Sequence, residues 1–317
     1  MASVSWSRLI RFVPAGRSEV LYGEPVASNY DDIGAVADAG ELQAKVIVVD
    51  ASGPLSPSAK VTDEVVRVGK LLGPLDWDNC TDIKCIGLNY KKHIEEGGRA
   101  PPPFPSLFTK PTTALAEYGD VVVIPKCAQE NEADYEAELV AVIGENCKDV
   151  TPEEALKYVV GYTIGNDVSA RKWQRNPERA GGVPQWCYAK SFDKFAPMGP
   201  CIVSSKVIPD PSVLRMKLSV NGDKRQETPI SDLLFDVSGV SASVSSSSII
   251  SRCQVAHIVS FLSQGSTLRR GAVIMTGTPS GVGCTGPESA WKYLKHDDKL
   301  ELEVSQIGVL RHTIAYE

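Results

Sequence analysis

Glu136 and Glu138 stand two residues apart in the run Ala133-Asp-Tyr-Glu-Ala-Glu-Leu-Val-Ala-Val-Ile-Gly144. Beyond Glu138 the run is apolar, β-branched and closed by Gly144, the pattern of a buried strand with a stop. Side chains two apart on a strand face one side, so the two carboxylates point together. They repel unless something positive lies between them. A second apolar run, from Tyr158 to Gly165, ends at Asn166-Asp167 and delivers another carboxylate at a strand end. Three carboxylates from two strands make an all-oxygen site, suited to Mg²⁺, Mn²⁺ or Ca²⁺ rather than Zn²⁺. A solvent-facing edge strand would show the same Glu136/Glu138 spacing.

Other residue types with chemical use are dispersed along the chain. His93 and Glu96 are three apart, which puts them on one face of a helical turn as a base and its orienting carboxylate. An exposed helix with incidental polar residues would look alike. Lys190, beside Ser191-Phe192-Asp193, could neutralise an enolate or simply be solvated. The Gly277–Gly283 loop lacks a Walker lysine and the G-x-G-x-x-G spacing, so it argues for backbone N–H groups that hold a carboxylate or oxyanion, or for a plain turn. No G-x-S-x-G elbow is present, which argues against a serine-hydrolase triad.

These residues need a scaffold, and the chain supplies mostly strands. Its 317 residues are 43% hydrophobic and 23% charged, enough for one large domain, or one with a small companion. A net charge of -6 and the lack of a basic run argue against a nucleic-acid partner. No apolar stretch reaches the ~18 residues of a membrane span, and the N-terminus lacks a long secretory apolar core. The eight cysteines are scattered without a C-x-x-C pair, so reduced thiols and a cytoplasmic location are expected, a mitochondrial one being compatible. Residues 1–78 read as a small β-rich N-terminal subdomain and linker, with strand-like runs at Leu9–Val13, Val20–Tyr22 and Lys45–Val49. Val61, Val65, Val68, Leu71 and Leu72 fall at helical spacing and predict a helix stopped by Gly73-Pro74. Residues 79–317 then read as a strand-dominated α+β domain of β-roll or barrel-like form. Within it, Thr151-Pro-Glu-Glu154 is a helix start, Ser169–Gln174 is helix-compatible, Asn221-Gly222 turns a hairpin, and Lys299–Val304 pairs with 309–316. Residues 238–251 hold eight serines in fourteen positions. Removing about 238–255 would join Leu233–Val237 to Ala256–Phe261 as the start of an amphipathic helix, so this stretch reads as a surface insertion. One origin is a retained intron, which a mature transcript encoding Ser245–Ser248 would rule out.

Six ordered motifs then resemble the fumarylacetoacetate hydrolase family, and most closely its domain-containing members with a short N-terminal extension. They are Gly87-Leu-Asn-Tyr-x-x-His93-x-x-Glu96, Phe108-x-Lys110-Pro, Asp134-Tyr-Glu136-Ala-Glu138-Leu, Asn166-Asp167-Val-Ser-Ala-Arg171-x-x-Gln174, Lys190-Ser-Phe-Asp, and Thr276-Gly-Thr-Pro-Ser-Gly-Val-Gly. Together they span roughly residues 80 to 317. The resemblance implies a mixed β-roll, a homodimer, Mg²⁺ or Mn²⁺ at Glu136, Glu138 and Asp167, and a lid bearing His93 and Glu96 that orders on ligand binding. It further implies substrate binding by Arg171, Gln174, Lys110 and Thr278, with Lys190 offsetting negative charge. The expected reaction is hydrolysis of a C–C bond in an acylpyruvate or related 1,3-dicarbonyl. The runners-up are tautomerisation or decarboxylation of oxaloacetate and isomerisation of a 2-oxo-diacid; a catalytically silent member is the third reading. The longer tyrosine-breakdown enzyme adds a metal-binding aspartate from an upstream loop, for which these motifs place no counterpart.

Overall fold

The computed structural model describes residues 4–235 and 254–317. In chain order the strands are β1 (Arg8–Pro14), β2 (Leu21–Val26), β3 (Gln43–Val48), β4 (Lys60–Leu72), β5 (Asp82–Gly87), β6 (Ser106–Lys110), β7 (Leu115–Ala116), β8 (Val121–Ile124), β9 (Ala133–Asp134), β10 (Ala137–Ile143), β11 (Val159–Asn166), β12 (Ser169–Ala170), β13 (Ala196–Ser204), β14 (Arg215–Val220), β15 (Asp223–Pro229), β16 (Ala272–Met275), β17 (Lys299–Val304) and β18 (Gly308–Tyr316). The helices are short: α1 (Ile33–Asp38), α2 (Lys91–Glu96), α3 (Pro152–Ala155), α4 (Arg171–Arg175), α5 (Pro177–Ala180), α6 (Trp186–Lys190) and α7 (Gln254–Ser263). None is long and apolar enough to cross a membrane.

Strands β10, β11 and β13 are buried at every residue, which is why their sequences run apolar without alternation. They lie in one sheet of order β2-β3-β4-β1-β13-β11-β10-β16-β5-β6. A second sheet, β15-β14-β17-β18-β8, alternates buried and exposed positions, as in β17. Its inner face joins the main hydrophobic cluster, where Leu218, Leu302 and Leu310 meet Leu139, Tyr162 and Ile164. The result is a sheet-rich mixed α+β fold with both parallel and antiparallel pairs, β16 running parallel to β5.

Near the N-terminus, β1 pairs with β2, β2 with β3, β3 with β4, and β4 back with β1, closing a ring of four strands. Strand β1 also pairs with β13 through Arg8–Val203 and Leu9–Ile202, which ties the ring to the central sheet. The helix expected over Val61–Leu72 is instead strand β4. Only Val68, Leu71 and Leu72 of it are buried. Register shifts at Val13/Pro14 and Lys45/Ile47 break the two-residue alternation, so the surviving apolar spacing imitated a helix. The four valines of β4 suited a strand throughout. The serine-rich stretch lies outside the described residues. On its near side Leu233 bridges Tyr90 rather than entering a helix.

Strand register places the chemistry at one end of the central sheet. Ala137 pairs with Asn166, so Glu136 and Asp167 lie side by side and the Asp167 N–H donates to the Glu136 carbonyl at 2.9 Å. Val140 pairs with Met275, which brings Thr276 and the glycine loop against Leu139 and Glu138. Met275 pairs with Cys85, so the chain leaving β5 emerges at the same end and turns into α2 with His93 and Glu96.

Candidate active site

Glu136 and Glu138 flank Ala137 at the start of β10, and Asp167 follows β11. All three are buried, at 5%, 1% and 0% exposure, which removes the solvent-facing edge strand as an explanation. One carboxylate oxygen from each lies within 4.8 Å of the others. Among the described residues this is the set of acidic, histidine or cysteine side chains that converges in this way, and no fourth carboxylate joins it.

Cations surround the trio. The Lys190 ammonium, from the end of α6, donates to Glu136 Oε2 at 2.8 Å and to Asp167 Oδ2 at 2.6 Å. It also sits 4.8 Å from the Phe108 ring centroid. Lys110, the last residue of β6, donates to Asp167 Oδ1 and to the Phe195 carbonyl, both at 2.5 Å. Arg171, the first residue of α4, donates from Nε to Asp134 Oδ2 at 2.7 Å and from Nη1 to Gln174 Oε1 at 3.0 Å. Its Nη2 lies 2.6 Å from Glu136 Oε1 as an ion pair, outside hydrogen-bond angles.

This arrangement divides the two glutamates. Burial pushes Glu136 upward, but the charges of Lys190 and Arg171 outweigh it and hold the carboxyl at about 2. Burial likewise pushes Glu138 upward; the Asp167 and Glu136 charges act in the same direction, and it stands well above the usual carboxylate range. Glu138 accepts the Gly277 N–H at 2.7 Å, which opposes that push without overcoming it. Burial alone would lower Lys190, yet Asp167 and Glu136 raise it, so the ammonium stays charged. The donor set fits a hard divalent cation: three buried carboxylates, oxygen only, with one of them in like-charge conflict that a cation would relieve.

The backbone around the trio is held from several elements. Asn166 Oδ1 accepts the Glu136 N–H at 2.8 Å, and its Nδ2 donates to His312 Nε2 at 3.0 Å. Burial depresses His312 to about 3, so this ring is a neutral acceptor. Gln226, on β15, accepts the Ala137 N–H at 2.9 Å and donates to Thr278 Oγ1 and the Pro279 carbonyl, both at 2.9 Å. Asp134 accepts the N–H groups of Tyr135 and Gly283 while pairing with Arg171. Gly277 has φ +104°, and a Cβ there would lie 2.9 Å from Asn89 Cβ and 3.0 Å from the Ile86 carbonyl, so only glycine fits.

His93 and Glu96 sit on α2 as expected, with Nδ1 3.2 Å from Glu96 Oε2. Glu96 has a second attachment that the sequence did not disclose. Its Oε1 accepts the Gly281 N–H at 3.0 Å, fastening the helix to the glycine loop. Burial pushes Glu96 up, and the bonds from His93 and Gly281 more than reverse this. One cleft is lined by His93, Glu136, Glu138, Arg171, Gln174, Lys190 and Thr278 together. Lys110 is apart from that lining: its ammonium faces Asp167 and backbone carbonyls. Arg99 and Arg175 line the cleft as well.

Residues 82–315 match the family model described as fumarylacetoacetate (FAA) hydrolase C-terminal. The chain belongs to the fumarylacetoacetate hydrolase family. A caffeoylpyruvate hydrolase of Neonothopanus nambi is 35% identical over 319 residues, covering 99% of this chain and 95% of that protein. A Dictyostelium discoideum fumarylacetoacetate hydrolase domain-containing protein 2 homolog is 37% identical, covering 73% of this chain and 70% of its own length. Among solved structures, a Mycobacterium smegmatis 5-carboxymethyl-2-hydroxymuconate delta-isomerase superposes at TM-score 0.72 with 30% identity, covering 98% of this chain and all of that one. A fumarylpyruvate hydrolase from Pseudomonas aeruginosa, solved with Mn²⁺ and pyruvate, superposes at TM-score 0.61 with 27% identity over 81% of this chain and 93% of that chain. The family thus includes hydrolases and isomerases, and the carboxylate trio of this chain is of the kind that holds a divalent metal.

Proposed function

We propose that this chain is a divalent-metal-dependent hydrolase that cleaves the C–C bond of an acylpyruvate or related 1,3-dicarbonyl 2-oxo acid. The observation that carries the reading is a buried, converging trio of carboxylates, two of which, Glu136 and Glu138, line one cleft with His93, itself paired to Glu96. Glu136, Glu138 and Asp167 would hold Mg²⁺ or Mn²⁺, which when bound supplies Lewis-acid polarisation of the substrate's keto oxygens. Lys190 helps keep Glu136 ionised, pairs with Asp167, and places a positive charge in the cleft wall. Lys110, with its ammonium on Asp167, is read as a positioning residue for that carboxylate rather than a substrate ligand.

Glu96 engages His93 at Nδ1, which leaves Nε2 to take a proton from water. The resulting hydroxide oxygen adds to the acyl carbonyl carbon, and the C–C bond breaks. Its electron pair passes to the methylene carbon of the pyruvate leaving group, which gains a proton. The products are a carboxylate and pyruvate. Arg171 and Gln174 are hydrogen-bonded to each other in the cleft wall and would position the keto-acid end. Thr278, steadied by Gln226, would meet a substrate carboxylate from the cleft wall, while the N–H groups of Gly277, Gly281 and Gly283 are already engaged by Glu138, Glu96 and Asp134.

An isomerase or oxaloacetate tautomerase would use the same trio without an attacking water, and the named isomerase among the structural neighbours supports keeping that second reading. A UV assay after EDTA stripping separates them. Loss of acylpyruvate absorbance with stoichiometric pyruvate, restored by Mg²⁺ or Mn²⁺, supports hydrolysis. Keto–enol or CO₂ change in oxaloacetate without acylpyruvate cleavage supports the second reading, and no metal-dependent change supports a silent member. We also take residues 1–78 as a subdomain with linker and 79–317 as the catalytic domain, on the strength of the closed strand ring. Assembly as a homodimer and a cytoplasmic location complete the proposal; light scattering and cell fractionation test them.

A further inference from the structure

Resting on that reading, we infer that the acyl arm of the substrate is neutral and apolar, most fittingly a flat aryl group, and that it lies in a groove beside the cleft. The cleft itself encloses only about 110 Å³, enough for a keto-acid end. A second groove of about 530 Å³ adjoins it and shares Phe108, Pro184 and Trp186 as common wall. That volume falls in the ordinary range of small-molecule pockets, ~300–1,000 Å³.

The chemistry of the walls differs sharply between the two spaces. The cleft carries His93, Arg99, Arg171, Arg175 and Lys190 beside the carboxylates. None of the residues lining the groove is charged. Leu107, Phe108, Val183, Pro184, Trp186 and Tyr188 form most of its wall, with Ser106, Gln185 and Cys187 as uncharged polar members. Phe108 and Trp186 meet edge to face with centroids 5.6 Å apart, so their rings form a fixed corner where the groove opens from the cleft. Leu107 and Val183 are exposed at 48% and 73%, apolar area that an apolar arm would cover. A dicarboxylate arm would place its distal charge where the described residues offer no cation to receive it. The Trp186 ring is itself anchored from behind. A Cβ on Gly87 would lie 2.1 Å from it, so the ring packs directly on the β5 backbone.

The test compares benzoylpyruvate, acetylpyruvate and fumarylpyruvate by kcat/KM with the Mn²⁺-loaded enzyme. Benzoylpyruvate should exceed both others by about tenfold or more, the scale on which apolar pockets discriminate. Leu107→Arg, which sets a cation on the groove wall, should lower the benzoyl-to-fumaryl ratio by about tenfold. Preference for fumarylpyruvate in the unaltered chain, or an unchanged ratio in Leu107→Arg, overturns the inference. Calorimetric binding of benzoylpyruvate and fumarylpyruvate to His93→Ala separates this from the hydrolase reading. If no acylpyruvate is cleaved but benzoylpyruvate binds more tightly and Leu107→Arg weakens it, the groove assignment stands and hydrolysis falls. Equal binding of the two ligands overturns the groove assignment.

Discussion

Removing the Glu96 carboxylate should impair catalysis chiefly through His93, and a double-mutant cycle can show this. Glu96 contacts His93 Nδ1 at 3.2 Å and the Gly281 N–H at 3.0 Å. A hydrogen bond involving a charged group contributes about 1.5–3 kcal/mol. At 1.36 kcal/mol per factor of ten, loss of the His93 contact predicts a fall in kcat of about 10- to 150-fold for Glu96→Ala. His93→Ala removes the base itself and should lower kcat by ~10²–10⁴-fold. Because Glu96 acts on the reaction through His93, the double variant should have nearly the kcat of His93→Ala alone. Loss of the Gly281 attachment should appear separately, as a rise in KM common to both variants that lack Glu96. The assay is steady-state cleavage of an acylpyruvate at saturating Mn²⁺. Multiplicative losses in kcat would refute the pairing of Glu96 with His93 as a catalytic unit. So would a Glu96→Ala kcat within about twofold of wild type, given the contribution expected of a charged hydrogen bond.

Other perturbations have equally definite outcomes. Glu138→Gln keeps an acceptor for the Gly277 N–H while deleting a charge that burial and its neighbours oppose, so the metal-free variant should melt at or above the wild-type temperature. It should also lose the stabilisation that Mn²⁺ gives the wild type, about 2.7 kcal/mol at a hundredfold excess over Kd; differential scanning fluorimetry reads both. The folded pKa of Glu138 is raised above its ordinary 4.5, so its stability contribution is complete below pH 4.5 and is lost as pH rises through the folded value. Mn²⁺ should therefore raise the melting temperature more at pH 8 than at pH 5, with protons released on binding. Glu136, held near 2, acts oppositely and only on the acid side, its contribution being lost as pH falls below 4.5 toward 2. Gly277→Ala should reduce stability by about 1–3 kcal/mol, from positive φ and the close Asn89 and Ile86 contacts, and should weaken Mn²⁺ binding; urea denaturation measures the first.

The carboxylate trio and the His93–Glu96 pair were legible because their signals are local. An i,i+2 spacing beside an apolar run and an i,i+3 spacing on a helical turn each specify a shared face from a few consecutive residues. The strands carrying the trio were equally plain, since a buried strand must be apolar along its length. What escaped depends on contacts between distant segments. Gln226 holds Ala137 and Thr278 from a hairpin that looks unremarkable in sequence, and Asp134 joins Arg171 to the glycine loop across 149 residues. Strand β4 was misread because two register shifts disturb its alternation, and only knowledge of its neighbours β1 and β3 reveals them. The groove beside the cleft is built from β6 and the segment around α6, whose approach no spacing rule encodes. Lys110 was legible as a motif residue, but its direction toward Asp167 rather than the cleft is a matter of tertiary placement.

The central claim is that Glu136, Glu138 and Asp167 act as one cation site. Isothermal calorimetry of the EDTA-stripped chain titrated with MnCl₂ tests it most directly, alongside Glu138→Gln and Asp167→Asn. The expected result is one Mn²⁺ per chain in the unaltered protein and at least about a hundredfold weaker binding in each variant, since an uncompensated ligand loss at a three-carboxylate site removes a full coordinating charge. No uptake by the unaltered chain, or equal uptake by the variants, would contradict it.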